Sequence, residues 1–196
     1  MQQKNAYRLF VALLVAIMTL TACGQPYTFH GLLLDASTPA ADFSLTGPQG
    51  QIVHLSDFRG KLAVLFFGYT SCPDVCPTTL VDLAQAMKQM GNKAADVQVI
   101  MVTVDPERDT PQRIGDYVTA FDDRFLGLSG APEAIAAAAT PFGIYYQKHE
   151  GTAATGYLVD HTASLNVVDQ EGRMRLVLPF GVSPESIADD LTHLLR

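Results

Sequence analysis

The stretch FGYTSCPDVCPTTL, residues 67–80, decides the fold because it joins a buried strand to a helix through a turn with two cysteines. The apolar run LAVLFFGYT leads into it, and the amphipathic run PTTLVDLAQAMKQM leads out of it. In α/β proteins, ligands and chemistry lie just beyond the carboxyl ends of the strands. We therefore expect Cys72 and Cys76 to lie at the functional edge of a sheet.

Two prolines accompany the CxxxC pair, at positions 73 and 77. A proline disfavours helical geometry in the residue before it, and it is tolerated in the first turn of a helix. These preferences predict a helix that begins near Pro77 and an exposed turn over residues 71–76. The helix N-terminus behind Cys76 is expected to lower the pKa of this thiol. Paired reactive thiols exchange disulfides or bind soft metals, whereas two unrelated buried cysteines would do neither.

Residues 1–22 have the pattern of a secretion signal. Lys4 and Arg8 precede an apolar run over 9–20 that is too short for a comfortable membrane span. The tetrapeptide LTAC, which ends at Cys23, resembles a bacterial lipobox; this implies cleavage before the cysteine and lipid attachment to its sulfur. An ordinary signal peptide and an uncleaved anchor are the alternatives. In each case we expect the folded part outside the cytoplasm, facing the periplasm or the cell exterior.

Composition and cysteine count limit the partners and the redox chemistry. The 196-residue chain has a formal net charge of −7, and the leader carries none of the acidic residues. An acidic surface argues against nucleic acid as a partner. With Cys23 used by the anchor, Cys72 and Cys76 remain as a redox pair that closes to a disulfide in an oxidising compartment. We expect residues 23–40 to be a lipid-anchored tether and residues 41–196 to be one folded domain.

The order of apolar patterns predicts a mixed α/β sheet flanked by helices. A βαβ crossover between the two long buried strands makes them parallel. In chain order the patterns predict a hairpin over 43–55, a strand over 62–68, a helix from 77 to 91, a strand over 97–104, helices over 111–125 and 132–140, a hairpin-like excursion over 142–159, an antiparallel pair over 163–178 and a helix after residue 183. This order fits a thioredoxin-like architecture with an N-terminal hairpin and an inserted hairpin before the histidine loop.

Five histidines occur, and His161 is the one that the pattern sets apart. It comes just before the apolar strand predicted over 163–168, in a loop that faces the thiol turn in a thioredoxin-like layout. Thioredoxins commonly have a cis-proline at this position, but no proline occurs here between residues 142 and 178. A capping or surface histidine is the alternative. The other four are expected to be solvated rather than ligands: His30, His54, His149 and His193.

Two thiolates and one imidazole would make a three-donor metal set. Thiolates select Cu(I), and an imidazole also suits Cu(II). Zinc is the competing metal, but structural zinc takes four protein ligands and catalytic zinc takes three plus water. The sequence offers no fourth ligand at metal-site spacing, so we expect copper, one ion per chain.

Three blocks of the sequence resemble the signatures of the Sco/SenC family of copper chaperones: FGYTSCPDVCPTTL, VTVDPERDTP and YLVDHTASLNVVD. The resemblance runs from about residue 37 to the C-terminus. It implies a thioredoxin-like fold and copper ligation by Cys72, Cys76 and His161. It also implies copper delivery to the dinuclear centre of cytochrome c oxidase subunit II, with reduction of that subunit's cysteines as a possible part of the task. Family members are often held by a transmembrane helix, whereas this chain resembles a lipoprotein.

Two further classes of function stay open. An extracytoplasmic thiol–disulfide oxidoreductase of thioredoxin type is the main alternative, although its usual spacing is CxxC. A thiol peroxidase is the third; Thr70 lies near Cys72, but no arginine is evident beside it. No catalytic residue is assigned. Asp105, in the loop DPERDTP on the same sheet edge, is a candidate to support the metal ligands or to form a docking contact. The expected partners of the protein are cytochrome c oxidase subunit II or a periplasmic copper donor.

Overall fold

The computed structural model describes residues 27–152 and 156–195. Strands and α-helices alternate over much of this range. The strands are β1 Leu32–Leu33, β2 Ser44–Thr46, β3 Ile52–His54, β4 Leu62–Gly68, β5 Val97–Thr103, β6 Leu126–Leu128, β7 Tyr146–Glu150, β8 Tyr157–His161, β9 Leu165–Val168 and β10 Met174–Leu178. The helices are α1 Val75–Met90, α2 Pro111–Thr119, α3 Pro132–Ala139 and α4 Pro184–Leu194.

A six-stranded mixed sheet with the order β1-β10-β9-β4-β5-β6 forms the centre. Every residue of β4 is buried, as its continuous apolar run predicts. β4 pairs with β5 in parallel, with Gly68 opposite Thr103, and with β9 in antiparallel orientation. The predicted parallel pair is therefore confirmed. The carboxyl ends of β4 and β5 open at one edge, where the thiol turn follows β4.

The helices begin at the residues whose side chains can cap them. The Thr110 hydroxyl accepts a hydrogen bond from the Arg113 N–H, and the Ser183 hydroxyl accepts one from the Ser186 N–H. In both helices a proline stands in the first turn, where a missing N–H costs nothing. α1 packs against α4, α2 packs against β6, and α3 packs against β2. The predicted mixed sheet flanked by helices is confirmed.

The prediction that the second helix runs to residue 125 is wrong. α2 ends at Thr119, and a sixth strand, β6, pairs in parallel with β5 from Leu126. A Cβ atom at Gly127 would lie 2.5 Å from the Ile114 carbonyl oxygen. Glycine therefore lets the backbones of α2 and β6 come into direct contact. This contact could not be predicted from the hydrophobic periodicity of the sequence, because it depends on a missing side chain.

The part of the predicted tether that the structure describes is docked on the domain. β1 pairs with β10, with Leu32 opposite Val177. The buried Asp190 carboxylate on α4 accepts hydrogen bonds from the Tyr27 hydroxyl, the backbone N–H of His30 and the backbone N–H of Gly31. Residues 27–33 of the predicted tether are therefore held against the domain, because a buried anion and a sheet edge both bind the chain.

Two small antiparallel sheets stand beside the central one. β2 pairs with β3, and β7 pairs with β8, so both predicted hairpins are confirmed. The second hairpin is inserted before β9 and ends in the sequence Asp160-His161. None of the described peptide bonds is cis, in agreement with the missing proline of the histidine loop. No helix among residues 27–152 and 156–195 has the length and apolar character that a membrane span requires.

Candidate metal centre

The helix after the thiol turn begins earlier in the chain than the two prolines predict. α1 begins at Val75 rather than at Pro77, so Cys76 lies inside the first helical turn. The helix tolerates Pro77 there because the first N–H groups of a helix have no partner within it. Cys72 lies before the helix and is half-buried, whereas Cys76 is completely buried. The prediction of an exposed turn over residues 71–76 is therefore wrong for its last residue.

Cys76 fits into the protein because Gly68 has no side chain. A Cβ atom at Gly68 would lie 2.7 Å from the Cys76 sulfur, closer than atoms in contact can come. The sulfur also lies near the carboxyl end of β4, at the edge of the central sheet. The glycine of FGYT thus has a steric role that the sequence analysis did not assign.

The two thiols are free and hydrogen-bonded to each other. The backbone N–H of Cys76 also donates to the Cys72 sulfur over 3.4 Å. The hydrogen bond from the Cys76 thiol lowers the pKa of Cys72 to about 5, against the opposing effect of burial. The same hydrogen bond and the burial of Cys76 raise the pKa of Cys76 far above its ordinary value. The expectation that Cys76 carries the activated thiolate is wrong, because Cys76 is buried and its thiol donates the hydrogen bond that stabilises the Cys72 thiolate.

His161 lies against the thiols. It is the last residue of β8, not a residue at the start of the next strand. Its Nε2 atom lies 3.5 Å from the Cys76 sulfur, and its Nδ1 atom lies 3.1 Å from the Val159 carbonyl oxygen. A carbonyl oxygen only accepts hydrogen bonds, so Nδ1 carries the proton and Nε2 presents its lone pair to the thiols.

Aromatic contacts fix the histidine ring from two sides. The rings of Tyr69 and Phe66 meet it edge to face at centroid distances of 5.7 and 6.4 Å. The Tyr69 hydroxyl also accepts a hydrogen bond from the backbone N–H of Val159 over 3.3 Å. Tyr69 therefore connects the thiol turn to the strand that carries His161.

A groove of about 240 Å³ opens between the thiol turn and the second hairpin. Cys72 and Asp74 line one wall, and His149, Asp160 and His161 line the other. A larger groove of about 630 Å³, along the second half of α1, shares no residue with it and contains neither cysteine nor histidine. The groove beside the thiols is therefore where the metal-binding side chains meet solvent.

The donors are neighbours but do not yet form a closed coordination set. In the part of the chain that the structure describes, no three His, Cys, Asp or Glu side chains are already arranged to hold a metal ion. Two sulfurs and one imidazole nitrogen nevertheless match the donor preference of copper, and also of zinc. A small movement of the turn or the hairpin would be needed to bring all three onto one ion.

Asp105 does not touch the thiols. It is completely buried, forms an ion pair with Arg108, and accepts a hydrogen bond from the Tyr157 hydroxyl over 2.5 Å. The Arg108 guanidinium lies over the Tyr157 ring at 3.7 Å and beside the Tyr69 ring at 5.6 Å. Burial rules out a partner contact by Asp105. Asp105 is connected to the strand that carries His161 through Tyr157 and Arg108, and to Tyr69 through Arg108.

Sequence reasoning missed Asp109, which holds the start of the thiol turn. This buried carboxylate accepts hydrogen bonds from the backbone N–H of Thr70 over 2.9 Å and from the Thr103 hydroxyl over 2.8 Å. Arg113, which was also missed, donates to the hydroxyls of Thr70 and Ser71. The statement that no arginine lies near the turn is therefore wrong. The second aspartate of DPERDTP was the available signal for Asp109.

The remaining histidines divide into two groups. His30, His54 and His193 lie outside the groove; His30 pairs with Asp190 across 3.0 Å. His149 is exposed, as expected for a solvated histidine, and it also lines the groove. Cys23, the predicted lipid-attachment residue, lies outside the described residues.

The fold is thioredoxin-like: it has a central mixed sheet and a turn with two thiols after the first long strand. An inserted hairpin brings a histidine to this turn, so the site contains two cysteines and one histidine. The chain belongs to the SCO1/SenC family, whose model matches residues 34–196. The resemblance seen in the three sequence blocks is thereby confirmed.

Relatives support the same assignment. The apo Sco1 protein of Thermus thermophilus is 48% identical, with a TM-score of 0.73 over 88% of this chain and 98% of that one. ScoI of Bradyrhizobium japonicum, solved with copper bound, is 38% identical, with a TM-score of 0.72 over 80% of this chain and 99% of that one. The mitochondrial SCO2 homolog of Bos taurus is 35% identical over 81% of this chain. The chain spans only 60% of the bovine protein's length.

Proposed function

We propose that this protein binds one copper ion through Cys72, Cys76 and His161 and delivers it to the dinuclear copper centre of cytochrome c oxidase subunit II. The Sco family is a family of cytochrome c oxidase assembly proteins, and the relative from Bradyrhizobium japonicum was solved with copper bound. In this proposal a periplasmic copper donor supplies the ion to this chain, and this chain passes it on to subunit II.

The separation of Cys76 from His161 carries the proposal. Metal–sulfur bonds of about 2.3 Å and metal–nitrogen bonds of about 2.0 Å place the two donors about 3.5 Å apart at a near-tetrahedral angle. The Cys76 sulfur and the His161 Nε2 atom are 3.5 Å apart. The Nδ1 hydrogen bond to a backbone carbonyl is the support that metal-binding histidines usually have.

Each side chain has a distinct part in binding. Cys72 is already a thiolate at neutral pH, so it can meet the incoming ion first. Cys76 holds its proton until the ion replaces it, and metal binding therefore releases a proton. His161 directs its Nε2 atom toward the sulfurs, because its Nδ1 atom is held by the Val159 carbonyl oxygen.

Thiol–disulfide exchange is the second candidate, and the unequal thiols support it. The Cys72 thiolate would attack a partner disulfide, form a mixed disulfide and release one partner thiolate. Cys76 would then lose its proton and attack the Cys72 sulfur, which releases the second partner thiolate. The partner gains two electrons and this chain ends with a Cys72–Cys76 disulfide. His161 has no part in these steps.

Anaerobic copper titration with a His161→Ala variant separates the two functions. We expect the reduced protein to take up one copper ion and the disulfide form to bind almost none. In His161→Ala, most Cu(II) binding should disappear, and Cu(I) affinity should fall about 10- to 100-fold. His54→Ala, outside the groove, is the matched control. Unchanged Cu(II) binding in His161→Ala would reject the ligand set and favour the exchange function.

The position of the protein in the cell belongs to the same proposal. We infer that Cys23 carries a lipid and holds the domain at a bacterial membrane, outside the cytoplasm, because LTAC follows a short apolar run. Mass spectrometry of the mature N-terminus tests this inference. An unmodified Cys23 or an intact leader would contradict it.

A further inference from the structure

The groove contains a second pair of metal-binding side chains, His149 and Asp160. They lie on the paired strands β7 and β8, where Gln147 is opposite Asp160 and His149 is opposite Leu158. The two side chains lean toward each other across the ladder, and the His149 Nε2 atom is 3.0 Å from an Asp160 carboxylate oxygen. Both line the groove that Cys72 lines from the other side.

The hydrogen bonds of His149 repeat those of His161. Its Nδ1 atom lies 3.1 Å from the Glu150 carbonyl oxygen, which can only accept, so Nδ1 carries the proton. In the neutral ring the Nε2 lone pair then faces the lone pairs of the Asp160 carboxylate. The Nε2 atom and the Asp160 carboxylate oxygen, 3.0 Å apart, are thus two donors that one metal ion could bridge.

We propose that His149 and Asp160 form an outer site that captures hydrated Cu(II) before the ion reaches Cys72, Cys76 and His161. The inference rests on the proposed copper function. One imidazole and one carboxylate suit Cu(II), which prefers tetragonal nitrogen and oxygen ligands, whereas thiolates select Cu(I). Bonds of about 2.0 Å at near-right angles place such donors about 2.8 to 3.0 Å apart.

The surroundings suit capture rather than storage. The side chains of His149 and Asp160 are 43% and 77% exposed, so a hydrated ion can reach them. Two protein donors leave the remaining positions to water, which makes the site weak and quick to exchange. Asp74 on the opposite wall adds negative charge, which attracts cations into the groove. Transfer to the inner donors is ligand exchange: each outer bond breaks as an inner bond forms, and the metal keeps its oxidation state.

Equilibrium binding of Cu(II) to a full-length chain without the inner donors tests the outer site directly. The variant Cys72→Ser/Cys76→Ser/His161→Ala is titrated with Cu(II) alone, after circular dichroism has shown that it folds. We expect one Cu(II) whose electron paramagnetic resonance spectrum shows a single imidazole nitrogen. Adding His149→Ala should weaken this binding at least about tenfold. Adding His54→Ala instead is the control, because this exposed histidine lies outside the groove. Equal binding with and without His149 would overturn the proposal and leave the pair as an ordinary salt bridge.

Capture kinetics in the intact site give the second measurement, which does not depend on the triple variant. The reduced full-length protein is mixed with Cu(II), and the thiolate-to-Cu(II) absorption is followed by stopped flow. We expect His149→Ala to slow its appearance about tenfold at low copper concentration, because the ion loses its first binding position. An unchanged rate would contradict the outer site. If the absorption never appears in the unmodified protein, the proposed inner site fails, while the triple variant still reports on His149.

Discussion

At the scale of the single residue, the two thiols of the turn differ because only one of them is enclosed. Cys76 lies against Gly68 inside the first turn of α1, and Cys72 stands before the helix, where N–H groups point at its sulfur. The proton of the pair therefore stays on Cys76. Sequence reasoning located both cysteines but assigned the thiolate to the wrong one, because the proximity of Gly68 to Cys76 depends on how the helix meets the sheet.

The reactivity of Cys72 should follow its lowered pKa. Because the thiolate is the reactive form, the rate of alkylation by iodoacetamide should rise with pH around a midpoint near 5 and level off before neutrality. Cys76→Ala removes the hydrogen bond that contributes most, so the midpoint should move to higher pH. Mass spectrometry of the reduced protein after timed alkylation measures both. A midpoint near 8.5 in the unmodified protein would contradict the assignment.

Gly68→Ala should displace the Cys76 sulfur. The new methyl group would lie 2.7 Å from it, so the protein should lose about 1 to 3 kcal/mol of unfolding free energy and bind Cu(I) less tightly. Urea denaturation and competition with a Cu(I) chelator measure the two effects. Gly130→Ala is the control, since its methyl group would come no closer than 3.2 Å to a neighbouring side chain, that of Leu45. Equal copper affinity in both variants would argue against the steric role of Gly68.

At the scale of the element, the second hairpin depends on one buried ion pair. Arg108 is bound to Asp105, donates to the Tyr157 carbonyl oxygen over 3.1 Å and stacks on the Tyr157 ring. These contacts hold the start of β8, and Tyr69 holds its middle through Val159. The strand that ends in His161 is thereby positioned from residues in the loop after β5.

Arg108→Gln should loosen β8 and with it the metal centre. Removing the guanidinium leaves the buried Asp105 carboxylate without its cation, which costs about 3 to 5 kcal/mol. We expect faster amide hydrogen exchange at Val159 and weaker Cu(II) binding. Lys148→Gln is the matched control: its ammonium also lies over the Tyr157 ring, but it pairs with an exposed Glu107. If both variants bind Cu(II) equally well, the positioning role is wrong.

The long buried strands were predictable and the short ones were not. β4 is a continuous apolar run and β5 is mostly apolar, and their bounds agree with the prediction to within one residue. β6 is three residues long and contains a glycine, so it shows no hydrophobic periodicity.

The contact of the thiol turn with the histidine loop was predictable from the topology of the fold. The contribution of His149 to the same groove was not, because it depends on the register of β7 against β8.

At the scale of the whole molecule, Asp190 joins the two ends of the described chain. It is buried on α4 and binds the backbone of His30 and Gly31 and the hydroxyl of Tyr27. The segment 27–33 was predicted to be a tether because it contains only a two-residue strand. So short a strand has almost no hydrophobic periodicity from which its docking could be predicted. The predicted start of the folded domain at residue 41 stays a prediction.

Asp190→Asn should release this segment. The amide has only one acceptor oxygen and no charge, so several donors lose their partner, at a cost of about 2 kcal/mol in unfolding free energy. Limited proteolysis should then cut near residues 27–33, while the copper stoichiometry stays at one. Asp189→Asn, at the exposed neighbouring position of the same helix, should leave the cleavage pattern unchanged. Equal protection in both variants would show that β1 alone holds the segment.

The contact between Cys76 and His161 joins residues 85 positions apart, one in helix α1 and the other at the end of strand β8. A metal ion between them therefore acts as a removable cross-link across the molecule, and the loaded protein should resist unfolding more than the empty one. Under the proposed function, loss of the ion would free the hairpin from the turn. A recipient that contacts both parts could then distinguish the loaded protein from the empty one by the shape of the groove.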